Sequence, residues 1–371
     1  MRIGIIDADL LNSKRNRFPN LACMKLSAFH KQGGHEVRLL TDYTSLKAYD
    51  KVFISKVFTE TKVPEEVLPL PNVEYGGTGF FWDKAPALPD EIEHIMPDYH
   101  LYEEFVRDAV ARGEMPKQDA NVYLNYSIGY TTRGCIRQCD FCVNHSSRRS
   151  VVHSPVAEFV DPTRKYIFLL DDNVLACSDW RRIFNELNAT GKHFCFRQGL
   201  DARLLTPEKC EVIFGSNWKG DFIFAFDNIA DRAVMERKLK LIQQYKGAKQ
   251  VKMYLLCGFN HDQPGVYTEE FWLRDVADLF ERIRIVLAHE CVPYAMRYAD
   301  YAKAPQPYKG IYITLARYCN QPSIAKKKSF RQYCYETVGQ NESAPRYASA
   351  FAEAHPNVAE RYYDVRWGDP L

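Results

Sequence analysis

Between Tyr123 and Ala299 the sequence repeats a strand-then-helix rhythm, and no other feature narrows the possible folds as much. Strand-like runs stand at YLNYSIGYTT (123–132), YIFLLDDN (166–173), HFCFRQG (193–199), DFIFAFDN (221–228), VKMYLLCGF (251–259) and VPYAMRYA (292–299). Helical stretches separate them: DWRRIFNELNAT after the second run, then 206–215, 231–245 and 269–289. Short apolar runs alternating with amphipathic segments make parallel sheet covered by helices. The six runs therefore predict an α/β chain with a partial (β/α)6 TIM-like barrel over 121–305. Barrels of this kind carry their chemistry at the C-terminal ends of the strands.

That rule picks out polar residues where the runs end. The second run ends in Asp171, Asp172 and Asn173, and the third in Arg197, Gln198, Asp201 and Arg203. The fourth ends in Asp227 and Asn228, and the sixth presents Arg297 and Tyr298. Any one of these side chains has a plainer reading as the cap of the next helix. Four strand ends bearing carboxylates, amides and guanidinium groups together predict a polar pocket.

The first run delivers TTRGCIRQCDFCVNH (131–145), in which Cys135, Cys139 and Cys142 stand at C-x3-C-x2-C spacing. Three thiolates this close suit one metal centre, and their short separations leave little room for pairing as disulfides. A cubane [4Fe–4S] cluster held by three cysteines keeps one iron open to a small molecule. The alternatives are structural zinc, with His145 as a fourth ligand, or unligated thiols. Zinc sites favour four protein ligands in paired C-x2-C units, and the sequence has no second pair.

The triad, with Phe141 just before its third cysteine, resembles the signature of the radical S-adenosylmethionine (radical SAM) superfamily. The resemblance implies a [4Fe–4S] cluster on Cys135, Cys139 and Cys142 and S-adenosylmethionine on the open iron. It also implies reductive cleavage to a 5′-deoxyadenosyl radical and hydrogen abstraction from a substrate, with an electron donor such as flavodoxin or ferredoxin. By the same resemblance Asp171, Asp172 and Asn173 lie toward the amino end of S-adenosylmethionine, and Asp227 and Asn228 toward its ribose. Gly258 and Phe259 lie where the family packs the adenine, with the backbone around Phe141 a second candidate. The glycine-rich second-strand motif of many members is absent, LLDDN standing in its place. Arg197, Gln198, Asp201, Arg203, Arg297 and Tyr298 are left for the substrate.

The amino-terminal 80 residues read as a small Rossmann-like parallel-sheet domain. RIGII, EVRLL (36–40), KVFIS (51–55) and NVEY (72–75) are strand candidates, and LACMKLSAFHKQ, closed by Gly33 and Gly34, is an amphipathic helix. This order resembles the cobalamin-binding-like domain that precedes the barrel in one branch of radical SAM enzymes. The D-x-H-x-x-G loop that brings a histidine to cobalt is missing: Asp7 and Asp9 are there without it, and His30 and His35 come later. Cobalamin is accordingly not expected. Gly76, Gly77 and Gly79 read as a tight turn rather than a phosphate cradle. Residues 81–120, broken by Pro86, Pro89 and Pro97, read as a connector, and 306–371 as a C-terminal extension. GGTGF, EEVL, PDY and QGLDARL are landmarks shared with uncharacterised radical SAM proteins of bacteria and their phages.

A net charge of +2 argues against a nucleic-acid coat or a membrane surface as the main partner. Eleven cysteines without a framework pattern, and no signal-like start or spanning run, predict a reducing cytoplasm. Near the end, Lys326, Lys327, Lys328 and Arg331 alternate with Phe330, Tyr333 and Tyr335. Such interleaving suits RNA, though a short charge run is more often a solvated helix face. A small polar substrate, such as a modified nucleobase in a lyase-type reaction, is the first expectation. Methyltransferase and oxidoreductase outcomes stay open, as do RNA as substrate and a non-catalytic iron–sulfur carrier or redox sensor.

Overall fold

A computed structural model describes residues 1–12, 18–144, 147–336 and 342–371. The chain is α/β and divides into two compact units, one of residues 1–138 and 142–195, the other of 139–141 and 196–371.

The first unit opens with β1 (Arg2–Asp7), five of whose six residues are buried. With β2 (Glu36–Leu39), β3 (Lys51–Ser55) and β4 (Val73–Gly76) it makes a parallel sheet of order β2-β1-β3-β4. The helix Leu21–Gln32 returns the chain from β1 to β2, its first turn capped by the Asn20 side chain on the Cys23 amide. Gly77 has φ +106, and a Cβ there would meet the Lys56 carbonyl oxygen at 2.3 Å. Gly77 is thus a turn residue packed against Lys56, between Gly76 at the end of β4 and Gly79 in the short helix Thr78–Phe81.

Residues 81–120 do more than connect. Helices Glu103–Ala111 and Lys117–Asn125 bury Val106, Ala109, Ala120 and Tyr123 in one core with Ile3 and Ile5 of β1. The second of these helices runs through Asn125, so the first strand of the rhythm does not begin at 123: it is β5 (Tyr126–Gly129). Ala120 and Tyr123 lie three apart, a helical spacing that the aromatic run at 123–130 conceals. Beyond β5 comes a small antiparallel hairpin of β6 (Thr132–Arg133) and β7 (Val151–Val152), with the cysteine loop between its arms. Then follow β8 (Tyr166–Leu169) and β9 (His193–Phe196), in a sheet of order β5-β8-β9.

The second unit holds β10 (Phe222–Ala225), β11 (Val251–Cys257) and β12 (Val292–Arg297), parallel and in chain order. Helices Arg232–Lys246 and Glu269–Ala288 make the crossovers. Thr268 caps the longer helix through the Phe271 amide, and Glu269 and Glu270 stand in its first turn, where they favour the helix dipole. Residues 306–371 add helices packed on this unit through rings: Phe280 lies 5.5 Å from Phe330 and 5.7 Å from Tyr362. All six strands of the predicted rhythm are present, three in each of these two sheets. Among the described residues no helix is long and apolar enough to cross a membrane.

Candidate functional site

The cysteine loop is fixed at its root by the end of β8. Asp171 is 1% exposed and accepts from four donors: the Thr131 amide (3.1 Å) and hydroxyl (2.6 Å), and the Thr132 amide and hydroxyl (2.8 Å). Burial pushes this carboxyl up to about 6, against the pull of those hydrogen bonds. Asp172 accepts from the Gly134 amide at 2.7 Å. Gly134 has φ +87, and a Cβ on it would stand 2.2 Å from the Arg149 carbonyl oxygen, so the two arms of the loop meet at a glycine. Asn173 donates to Cys135 Sγ at 3.4 Å. LLDDN, noted in sequence as a departure from a glycine-rich motif, is a staple that sets the loop on its strand.

Cys135 and Cys142 are half-buried in the first unit, and Cys139 belongs with the second. None of the eleven cysteines forms a disulfide. Cys135 Sγ also accepts from the Arg137 amide (3.3 Å), and Cys142 Sγ from the Asn144 amide (3.4 Å). Burial raises the Cys142 thiol, and the Asn144 amide draws it back. Such N–H···S donors favour thiolate, the form that ligates a metal. The donor set therefore fits an iron–sulfur cluster in kind. Among the described residues no group of three or more His, Cys, Asp or Glu side chains is gathered to hold an ion. His145, the zinc alternative, lies outside the described residues.

In the second unit Phe141 meets Phe259 edge-on, ring centroids 5.6 Å apart, and both meet His261, at 5.9 and 5.1 Å. Tyr298 closes on Phe259 from beyond, at 4.9 Å. Phe259 is 4% exposed, so the open surface of this cluster belongs to its neighbours. Gly258, φ +79, lies against Tyr301, and its amide donates to the buried Asp275 at 2.7 Å. His261 is a member that sequence reasoning missed; only its place two residues after Phe259 pointed to it.

The other strand ends divide into supports and exposed groups. Asp201 accepts from Arg203 Nε at 2.8 Å, and the same guanidinium reaches Asp231 at 2.9 Å. Burial opposes the charge on Arg203, yet these two carboxylates hold its pKa above the usual value. Asn228 caps a short turn through the Ala230 amide, the plainer reading the sequence allowed. Asp227 accepts from the Leu256 amide at 3.1 Å; burial raises its carboxyl and Arg282 counters. Arg282 itself, 2% exposed, donates to the carbonyls of Phe226, Asp227 and Leu256. Arg197 and Gln198 are exposed, and Arg297 is exposed with its guanidinium 4.4 Å over Tyr301.

The basic segment near the end loses most of its aromatics to the core. Phe330 and Tyr333 are 2% and 3% exposed, leaving Tyr335 outside, while Arg331 pairs with Asp364 at 2.9 Å.

No family model matches the chain, and no curated protein matches it. Among solved structures it aligns with Streptococcus suis SuiB, in a crystal structure bound to precursor peptide SuiA, at 10% identity and a TM-score of 0.32. The alignment covers 74% of this chain and 65% of SuiB, so it spans less than two thirds of that protein. A likeness this distant carries no argument about function.

Proposed function

We propose that the chain is a radical SAM enzyme that abstracts hydrogen from a small polar substrate, with Cys135, Cys139 and Cys142 holding a [4Fe–4S] cluster. The observation that carries the reading is the cysteine loop itself. It is stapled to a strand end by Asp171 and Asp172, with N–H donors on two of its three sulfurs. The chemistry that such a centre supplies when bound is one-electron reduction of S-adenosylmethionine, which starts hydrogen abstraction. The protein's part is to place and to exclude. Asp171 keeps both threonines, and so the loop, in one conformation, and Asn173 donates to the Cys135 sulfur. Phe141 and His261 offer ring surface for an adenine. Arg197, Gln198 and Arg297, exposed at strand ends, are left to read polar groups of a substrate, whereas Asp201 and Arg203 support each other.

RNA as substrate is the weaker reading, because two of the three interleaved rings are buried. A non-catalytic carrier would have no use for the strand-end guanidinium groups.

The test is anaerobic reconstitution with iron and sulfide, followed by dithionite and S-adenosylmethionine. Formation of 5′-deoxyadenosine, lost in Cys135→Ala, Cys139→Ala and Cys142→Ala, is the expected outcome. An intact cluster that forms none points to the carrier, and zinc bound in place of iron removes the reading altogether.

A further inference from the structure

In a sheet of order β2-β1-β3-β4 the ordinary ligand crevice lies beyond the carboxyl ends of β1 and β3. Here the chain fills it. Asp7, 2% exposed, accepts from the Tyr102 hydroxyl at 2.8 Å; Asn20 donates to Ser55 Oγ at 2.9 Å; and Asp9 takes the Val57 amide at 2.6 Å. A groove of about 810 Å³ lies instead along the outer edge of β2, with the helix Glu103–Ala111 as its far wall.

Among the described residues β2 is an edge strand, paired with β1 alone. The amides of Glu36 and Leu40 donate to Met1 and Ile5 on the β1 side. Successive residues of a strand point their main-chain groups to opposite sides, so Val37 and Leu39 turn theirs toward the groove. A free row of this kind is a template for another strand. The strand itself, Glu36–Leu39, runs about 13 Å at ~3.3 Å per residue, room for some four residues of extended chain, and the groove continues past Thr41 and Asp42.

The charges choose among extended chains. The cations that line the groove are committed: Lys31 to Asp98, Arg38 to Glu36 and Arg112 to Glu114. Asp42, held below the usual carboxylate range by the Thr44 hydroxyl and amide, makes no ion pair among the described residues. Neither does Glu104, exposed on the facing helix, while Asp108 one helical turn on shares the Arg112 charge with Glu114. The uncommitted charge along the groove is negative.

We propose that the β2 edge groove is a docking site for an extended, basic peptide segment of a partner protein, taken up as a further strand of the amino-terminal sheet. It stands apart from the reading of the cysteine loop.

The probe is a fluorescein-labelled seven-residue peptide alternating lysine with valine, titrated with the full chain at low salt and read by anisotropy. The result expected is saturable binding, about ten-fold weaker when Glu104→Lys and Asp108→Lys are combined, since each ten-fold is ~1.4 kcal/mol. Slowed hydrogen exchange at the amides of Val37 and Leu39 is expected with it. A glutamate–valine peptide of the same length is expected not to bind. Both substituted side chains are exposed, and an unchanged urea midpoint checks that the variant is folded. Absence of binding, binding that survives the double substitution, or binding that leaves these two amides unprotected overturns the proposal. Equal displacement by spermine also overturns it, because it marks a site for polycations rather than for a strand.

Discussion

Single residues in this chain are held in states that their type does not announce. Asp7 is the clearest: burial, reinforced by Asp9, pushes its carboxyl up to about 7 although Tyr102 and Leu10 donate to it. In the unfolded chain an aspartate titrates at about 3.9, so between those two values the folded state holds the proton that the unfolded state has lost. Stability from this group is full below about pH 4 and declines as pH rises through about 7, by ~1.4 kcal/mol for each unit between the two pKa values. Asp7→Asn removes the titration. Urea unfolding of both proteins should therefore show the variant gaining on the parent from about pH 4 to about pH 7 and levelling off above that. A constant difference across that range would mean that Asp7 stays charged. Asp171 repeats the pattern beside the cysteine loop, where its four donors give the charge a reason to be there.

At the scale of elements, function depends on what each strand end supports. The end of β8 is committed to the cysteine loop, and the loop after β11 to an aromatic cluster that gathers Phe141, Phe259 and His261. Phe259 is enclosed, so its removal would disturb packing; Phe141 is half-open and offers the better test. If Phe141 carries the adenine, Phe141→Ala should raise the dissociation constant for S-adenosylmethionine about ten-fold, base–aromatic stacking being worth ~1–3 kcal/mol. Calorimetry on reconstituted protein measures this, with iron content unchanged from the parent. Unchanged affinity would move the adenine elsewhere. The same scale explains the PDY landmark: Asp98 pairs with Lys31 and accepts from Ser27, while the Tyr99 hydroxyl donates to carbonyls of Ile128 and Phe159. The motif ties the connector to β5 and to the helix before β2.

For the whole molecule, the two compact units carry separate hydrogen-bonded supports, and the second has a buried guanidinium at its centre. Arg282→Met takes the guanidinium from four carbonyl acceptors, those of Phe226, Asp227, Leu256 and Asp278, and should cost about 3–5 kcal/mol. Followed by hydrogen exchange, the loss should fall on β10, β11 and β12 and leave β1 to β4 nearly unchanged. Uniform loss across both sheets would mean that the units unfold as one.

Local pattern alone determined the α/β class, the parallel amino-terminal sheet, the order of the six later strands, the cysteine spacing and the glycine turn after β4. Each of these is encoded over a few residues, by burial period, turn chemistry or spacing along the chain. Tertiary structure decided the fate of the polar strand ends. Asp171 serves Thr131 and Thr132 across some 40 positions, Arg203 bridges to Asp231, and His261 joins Phe141 from 120 residues away. It also buried Phe330 and Tyr333, turning a pattern that suited RNA into the inner face of a helix. A side chain's type limits what it can bond, but its partner is whatever folding brings within about 3 Å, and residues so far apart in sequence carry no local signal of that meeting.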